Sequence, residues 1–189
     1  MPKILIVYAT DHHSTEKMGN AAADGARSVA GTEVTVKKAD DTTAEDIAAA
    51  DGILLGSPVH MGSMDWRMKK LIDTAFSGLW MKGAMNGKVG GVFVSGGGIG
   101  GGGAGNEIAI ISMLNNFAEM GMVLVPLPLC TPGYADGATQ WGPYGRAHNH
   151  EGKPVGLTDA QLVPCRHHGA NVARVTAALQ GVTWYAKAE

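Results

Sequence analysis

Lys3-Ile4-Leu5-Ile6-Val7-Tyr8, followed at once by Thr10-Asp11-His12-His13-Ser14-Thr15, is the stretch on which the fold turns. The first six residues form a nearly unbroken apolar run, the pattern of a strand buried on both faces. The polar segment after it carries three hydroxyls. It leads into Met18, Ala22, Gly25, Ala26 and Val29, which recur at helical spacing until Gly31. A doubly buried strand feeding a helix through a short polar loop is the opening unit of a wound α/β sheet.

The same unit recurs outward from there. Thr32 to Lys38 sets Val34 and Val36 against Thr35 and Lys37, which suits a strand nearer the sheet edge, and Glu45 to Ala50 makes a short helix. Gly52-Ile53-Leu54-Leu55-Gly56 is a third strand, stopped by Ser57-Pro58, and Met64, Met68, Leu71, Ile72 and Phe76 stripe the helix after it. Gly90-Gly91-Val92-Phe93-Val94 is a fourth strand. Ile108, Ile111, Leu114, Phe117 and Ala118 stripe a helix closed by Gly121, and Met122 to Pro126 is a fifth strand. Residues 127–156 read as irregular, a length that calls for a job such as a lid or a subunit contact. Thr158-Asp159-Ala160-Gln161 fits a capping box for the last helix, with Pro164 expected to kink its first turns or delay its start. The alternation predicts an α/β fold: one doubly wound domain over 1–189, with five parallel strands in the order 2-1-3-4-5 and right-handed crossovers.

Composition narrows the function. With 189 residues, 15 Lys+Arg against 17 Asp+Glu and a net charge of −2, the chain carries no broad basic field for nucleic acid or an anionic membrane. Small-molecule partners are expected. Cys130 and Cys165 fit no CxxC or zinc spacing and read as buried thiols in a reducing compartment. No signal segment and no apolar run of about 18 residues occurs, so a cytoplasmic location is expected. There are 28 glycines, and eight of them fall between Gly96 and Gly105. A loop so stripped of side chains lets something approach its backbone closely.

Ligands of open α/β sheets bind beyond the carboxyl ends of the strands, where the strand order reverses. That selects loops 10–15, 57–63 and 95–105. In the first, Thr10, Ser14 and Thr15 offer hydroxyls at a helix N-terminus, a setting for a phosphate dianion without Lys or Arg; a plain Ser/Thr cap is the simpler alternative. Asp11 beside such an anion should turn its side chain away. In the second, Pro58, Gly62 and Ser63 make a turn and a cap, while Val59, His60 and Met61 could meet a planar, amphipathic ring. In the third, Ser95-Gly96-Gly97-Gly98-Ile99-Gly100 would bring backbone N–H groups to such a ligand. The histidines His148, His150, His167 and His168 lack an accompanying carboxylate or cysteine pattern and read as exposed polar residues rather than metal ligands.

The ordered set Gly56-Ser57-Pro58-Val59-His60-Met61-Gly62-Ser63-Met64, Ser77-Gly78-Leu79-Trp80 with Gly83-Ala84 and Gly87-Lys88, Val92-Phe93-Val94-Ser95, Gly121 to Pro126, and Gly142-Pro143-Tyr144-Gly145 resembles the WrbA-like NAD(P)H:quinone oxidoreductases. These belong to the flavodoxin superfamily. The resemblance implies a flavodoxin-like fold that binds FMN. Thr10, Asp11, His12, His13, Ser14 and Thr15 would hold its phosphate. Pro58, Val59, His60, Met61 and Gly62 would border the isoalloxazine, and Ser95 to Gly100 would contact the ring and ribityl chain. It also implies His12 near the nicotinamide nucleotide and Trp80 in the substrate pocket, contributed by a neighbouring copy in a homotetramer. The implied activity is two-electron, ping-pong hydride transfer from NAD(P)H to a quinone, with His60 and Glu119 as candidates for tuning protonation. The alternative is a flavodoxin-type electron carrier without NAD(P)H oxidation. The chain departs from the family in four places: His13 stands for a phosphate-loop glycine, His60-Met61-Gly62-Ser63 for Arg-Phe-Gly-Asn, and Glu119-Met120 for a His-His pair, and the glycine loop is about four residues longer.

Overall fold

The computed structural model describes residues 1–98 and 105–186. In chain order the elements are β1 (Lys3–Tyr8), α1 (Ser14–Arg27), β2 (Glu33–Lys38), a 3₁₀ turn (Ala39–Asp41), α2 (Ala44–Ala49), β3 (Gly52–His60), β4 (Ser63–Met64), α3 (Trp66–Leu71), a π-helical turn (Ile72–Phe76) and α4 (Ser77–Trp80). There follow β5 (Val89–Gly96), α5 (Asn106–Glu119), β6 (Val123–Leu124), α6 (Tyr134–Gly137), β7 (Ala138–Thr139), β8 (Gly142–Arg146) and α7 (Asp159–Leu179).

The sheet runs β2-β1-β3-β5-β8-β7, parallel from β2 through β8, with the two-residue β4 folded back on β3. Side chains alternate across it as a doubly buried sheet requires. Ile4, Ile6, Tyr8, Leu54 and Phe93 meet Met18, Ala22, Cys165 and Val172 of α1 and α7 on one face. Leu5, Val7, Ile53, Leu55, Val92 and Val94 meet Ile47, Met68, Ile110 and Phe117 on the other. β2 lies at the edge, and its burial alternates as expected.

The fifth sheet position differs from the expectation. Only Val123 and Leu124 of the predicted strand pair with β5, opposite Val89 and Gly90. The chain then leaves the sheet, forms α6 and the β7–β8 hairpin, and returns so that Tyr144, Gly145 and Arg146 pair with Val94, Ser95 and Gly96. The fifth position is therefore shared by two segments with an excursion between them. Gly142-Pro143 at its start reads as a turn in sequence, and Pro143 sits outside the parallel ladder, where its missing N–H costs no bond to β5.

Other expectations are also corrected. The apolar face of α5 is Ala109, Ile110, Met113 and Phe117, whereas Ile108 and Ile111 are exposed. Cys130 is exposed and only Cys165 is buried, its thiol pushed up to about 12 by desolvation. The Thr158 capping box is formed, and α7 starts at Asp159 and continues through Pro164. His168 is fully buried rather than a surface polar residue, and neither ring nitrogen has a partner among the described residues. No described helix is long and apolar enough to cross a membrane.

Helices α1 and α7 touch backbone to backbone. A Cβ added at Gly169 would lie 1.9 Å from the Ala22 carbonyl oxygen, and one at Gly25 would lie 1.8 Å from that of Arg166. Replacing Gly169 by Ala should therefore destabilise the protein by about 2 kcal/mol or more, even though Ala favours an isolated helix by about 1 kcal/mol. Urea unfolding reads the sign directly, and a midpoint at or above that of the wild type would contradict this packing.

Burial depresses the His168 pKa to about 4. The folded form binds its proton less readily than the unfolded chain, whose histidine titrates near 6.5. Stability should thus fall as pH drops from about 6.5 to about 4, by roughly 3 kcal/mol from this residue. The difference between the stability–pH curves of wild type and His168→Met should carry this slope in that window. Parallel curves would refute the assignment.

Candidate functional site

The cleft forms where β1, β3, β5 and β8 end. Thr10, Asp11, His12, Ser14 and Thr15 line it from the first loop, Pro58, Val59 and His60 from the second, and Ser95, Gly96 and Gly97 from the third. Sequence reasoning missed the fourth wall, Ala147 and His148, because they follow β8, the strand hidden in the excursion.

The first loop leaves the start of α1 uncapped. His13 takes the N-cap position with φ 62 and ψ 3, and among the described residues no side chain bonds the first-turn amides. Its ring instead contacts Glu16 at 2.6 Å, outside the cleft, where it and then the Tyr8 hydroxyl hold the Glu16 carboxyl below its usual range. Burial first, and then Glu16, push Tyr8 up to about 12. Thr15 is buried, and its Oγ1 meets Ser95 Oγ at 2.7 Å, tying the first loop to the third. Uncapped amides with the positive end of a 14-residue helix behind them favour a negative group.

The second loop is a tight hairpin. Val59 pairs with Met64 and His60 with Ser63, leaving Met61 (φ 49) and Gly62 (φ 80) at the turn. The Met61 side chain is fully exposed and does not line the cleft. At the third loop, a Cβ on Gly96 would lie 2.5 Å from Asn106 Oδ1 and 3.2 Å from Val59, so only glycine fits between them. Gly98, at φ 61, packs beside Arg146 instead of the cleft. Ile99 and Gly100 lie outside the described residues.

A charge network that the sequence did not reveal joins the first two loops. Asp65 is fully buried and caps α3, accepting from the Arg67 backbone N–H at 2.8 Å and from its Nε at 2.9 Å. The Arg67 guanidinium also donates to Asp65 Oδ2 at 2.6 Å, to Asp11 Oδ1 at 2.7 Å and to the Thr10 carbonyl at 3.3 Å. His60 sits between the same two carboxylates, Nε2 at 2.9 Å from Asp11 and Nδ1 at 3.0 Å from Asp65. Ser57 Oγ accepts from the Asp65 backbone N–H at 2.8 Å. Burial alone would raise the Asp65 pKa, but bonds from Arg67 and the charge of His60 outweigh it and hold the carboxyl low. Asp65 in turn raises Arg67.

Two consequences follow for the chemistry. Asp11 stands at the cleft, and its carboxylate is bonded to Arg67 and His60, with the one guanidinium shared between it and Asp65. Asp11, His60 and Asp65 bring ligand atoms within 4.8 Å of one another, and the guanidinium of Arg67 bridges the two carboxylates. A signal was available in Asp65-Trp66-Arg67, an N-cap acid followed by a base, although its reach to residue 11 is purely tertiary.

Glu119 and Trp80 are not brought to this cleft. Glu119 ends the 14-residue α5, about 20 Å along the axis from the end that faces the cleft. Beside it Gly87 N–H donates to the Gly121 carbonyl at the amino ends of β5 and β6, opposite the cleft. Met120 is buried in the core. Within one chain Glu119 therefore lies away from the cleft, because α5 begins beside it and finishes at the far end of the sheet. Trp80 likewise closes the α3–α4 arm far from Asp65 and is 40% exposed.

Removing Arg67 strands a buried carboxylate. Arg67→Met should cost about 3–5 kcal/mol in denaturant unfolding, and adding Asp65→Asn should recover a large part of that loss. If the two losses simply add, Asp65 and Arg67 are not coupled as described.

Residues 31–136 match the family of NADPH-dependent FMN reductases, more than half of the chain. A flavodoxin from Aquifex aeolicus (strain VF5) is 44% identical over 124 residues, covering 66% of this chain and 64% of that protein, so the chain spans less than two thirds of that relative's length. Among solved structures, a flavodoxin, WrbA-like protein from Agrobacterium tumefaciens superposes with a TM-score of 0.69 at 22% identity, over 94% of this chain and 99% of the other. A flavodoxin from the domain Archaea gives 0.68 at 22% identity, over 93% and 99%. At that identity the two structures speak for the fold, and the fold is that of the flavodoxins. Together with the match over residues 31–136, it follows that the chain belongs to the NADPH-dependent FMN reductase family.

Proposed function

We propose that residues 1–189 act as one cytoplasmic FMN-binding domain that oxidises NAD(P)H and passes two electrons to a quinone. The observation that carries the reading is the uncapped N-terminus of α1, with Thr15 and Ser95 joined beside it and the Asp11 carboxylate held by Arg67. An anion cradle at the mouth of an α/β sheet suits the phosphate of FMN. The buried His148 Nδ1, without a partner among the described residues, adds a free polar atom in the same wall.

In this reading Thr10, His12, Ser14 and Thr15 hold the phosphate through hydroxyls and backbone amides. Pro58, Val59 and His60 border the ring on one side. Ser95, Gly96 and Gly97 approach it with backbone, which the absence of side chains at Gly96 and Gly97 permits. Bound FMN supplies the hydride chemistry, and the protein supplies orientation and electrostatics. His60, gripped by Asp11 and Asp65, keeps loop 57–63 at a fixed distance from the phosphate loop. His12, exposed at the rim, is the residue we assign to the nicotinamide donor. Trp80 reaches a substrate pocket only if it is Trp80 of the partner subunit, which the homotetramer reading requires.

The purified protein should take up FMN and show flavin absorption bands. A colourless protein that fails to bind added FMN would sink the proposal. In air-free mixing, NAD(P)H should bleach the bands and a quinone should restore them. FMN uptake without bleaching would favour the electron-carrier alternative instead. Mass measurement in solution reads the tetramer.

A further inference from the structure

The two helical layers meet water differently. On the α1 and α7 side, neither helix exposes a large apolar side chain among the described residues. On the other side Trp66 opens α3 at 64% exposed, and Ile108 and Ile111 stand a turn apart on α5 at 63% and 44%. α5 packs on β4, the two residues just before Asp65 and Trp66, so these side chains share the cleft end of the layer. The exposed Met61 joins them, because a Cβ on Gly105 would lie 2.6 Å from Gly62 Cα and the 61–62 turn therefore abuts the start of α5. A single surface apolar residue needs no explanation, but a group of them at one end of one layer marks a face that a partner covers.

Charge on this face is sorted by helix. The arm from Trp66 to Trp80 carries Arg67, Lys69, Lys70 and Asp73. Arg67 is committed to Asp65 and Asp11, and Lys69 to Asp73. Lys70 is left over, its ammonium 5.9 Å from the centre of the exposed Trp66 ring. α5 carries Glu107 and Glu119 and no base, and neither carboxylate pairs with a cation among the described residues. The basic arm and the acidic helix lie side by side, Phe76 of the one packing on Phe117 of the other with ring centroids 6.3 Å apart. Both start at the cleft end and run the same way.

We propose that this face meets the same face of a second copy of the chain, with Trp66 of each copy against Ile108 and Ile111 of the other, and Lys70 against Glu107. Two copies packed face to face have their two-fold axis in the plane of contact, and it can run across the helices or along them. An axis across them lays each helix antiparallel on its own copy, which brings Glu107 toward Glu119 with no cation between them. An axis along them lays the arm of one copy on α5 of the other. That choice joins the apolar residues at the cleft end and sets the basic helix against the acidic one, so charge selects it. The inference rests on the part of the reading above in which copies of this chain assemble, and adds the face through which two of them meet.

Sedimentation equilibrium of the purified full chain tests this. Wild type should assemble, and Ile111→Asp, Lys70→Glu and Glu107→Lys should each weaken the assembly at least tenfold while still unfolding cooperatively in urea. Mixing Lys70→Glu with Glu107→Lys should restore it, because in a mixed pair every acid again faces a base. A monomeric wild type overturns the proposal and leaves the face to a different protein. An assembly that survives Ile111→Asp overturns it too, as do charge variants that stay assembled alone or fail to recombine when mixed. The two readings fail separately. Pairs of copies with this residue dependence, but no tetramer, remove the homotetramer and keep the face. A tetramer indifferent to all three variants removes the face and keeps the homotetramer.

Discussion

A parallel sheet covered on both faces has one place left for a polar ligand, and the rest of this molecule follows from that constraint. β1, β3 and β5 are buried above and below, so their side chains are spent on two apolar layers. Polar groups collect where the strands run out. The covering helices return across the faces, so each helix that leaves the site ends at the opposite edge, as Glu119 shows. Even the glycines inside the sheet obey the packing: a Cβ on Gly56 would lie 2.1 Å from the Phe93 ring. The space that Phe93 needs is supplied by the missing side chain.

At the strand ends, electrostatics decides what the loops can hold. Asp65 is buried at no cost in unpaired charge because Arg67 meets it through three donors and reaches on to the first loop. The result is a pair of loops fixed relative to one another by bonds independent of any ligand. Preorganisation of this kind lowers the ordering cost of binding.

Much of the fold was legible along the chain. The runs at 3–8, 52–56 and 90–94, the helical stripes between them and the Thr158 capping box all appear where their periodicity put them. Ile108 and Ile111 show the limit of that reading. In α5 several registers of apolar residues are available, and only the position of the sheet selects Ile110 and Met113 as the buried ones. His168 looks polar by type, yet its place on the face of α7 that packs against Gly91 puts it in the core. β8 was hidden because in Gly-Pro-Tyr-Gly only Tyr144 favours a strand; it becomes one because β5 offers an unpaired edge at Val94 to Gly96.

The amino-acid sequence by itself determined the α/β class, the three loops at the strand ends and the family resemblance that points to FMN. Local periodicity and turn chemistry encode those features within a few residues of each other. The opening stretch, strand then hydroxyl-rich loop then helix, already contained the segment proposed to hold the phosphate. Tertiary structure alone decided that Arg67 pairs with Asp11 across 56 positions of chain, that the fifth sheet position is built from two pieces, and that Glu119 lies away from the cleft of its own chain. Pairings between distant segments depend on how the layers close around the sheet, and no local pattern records that closure.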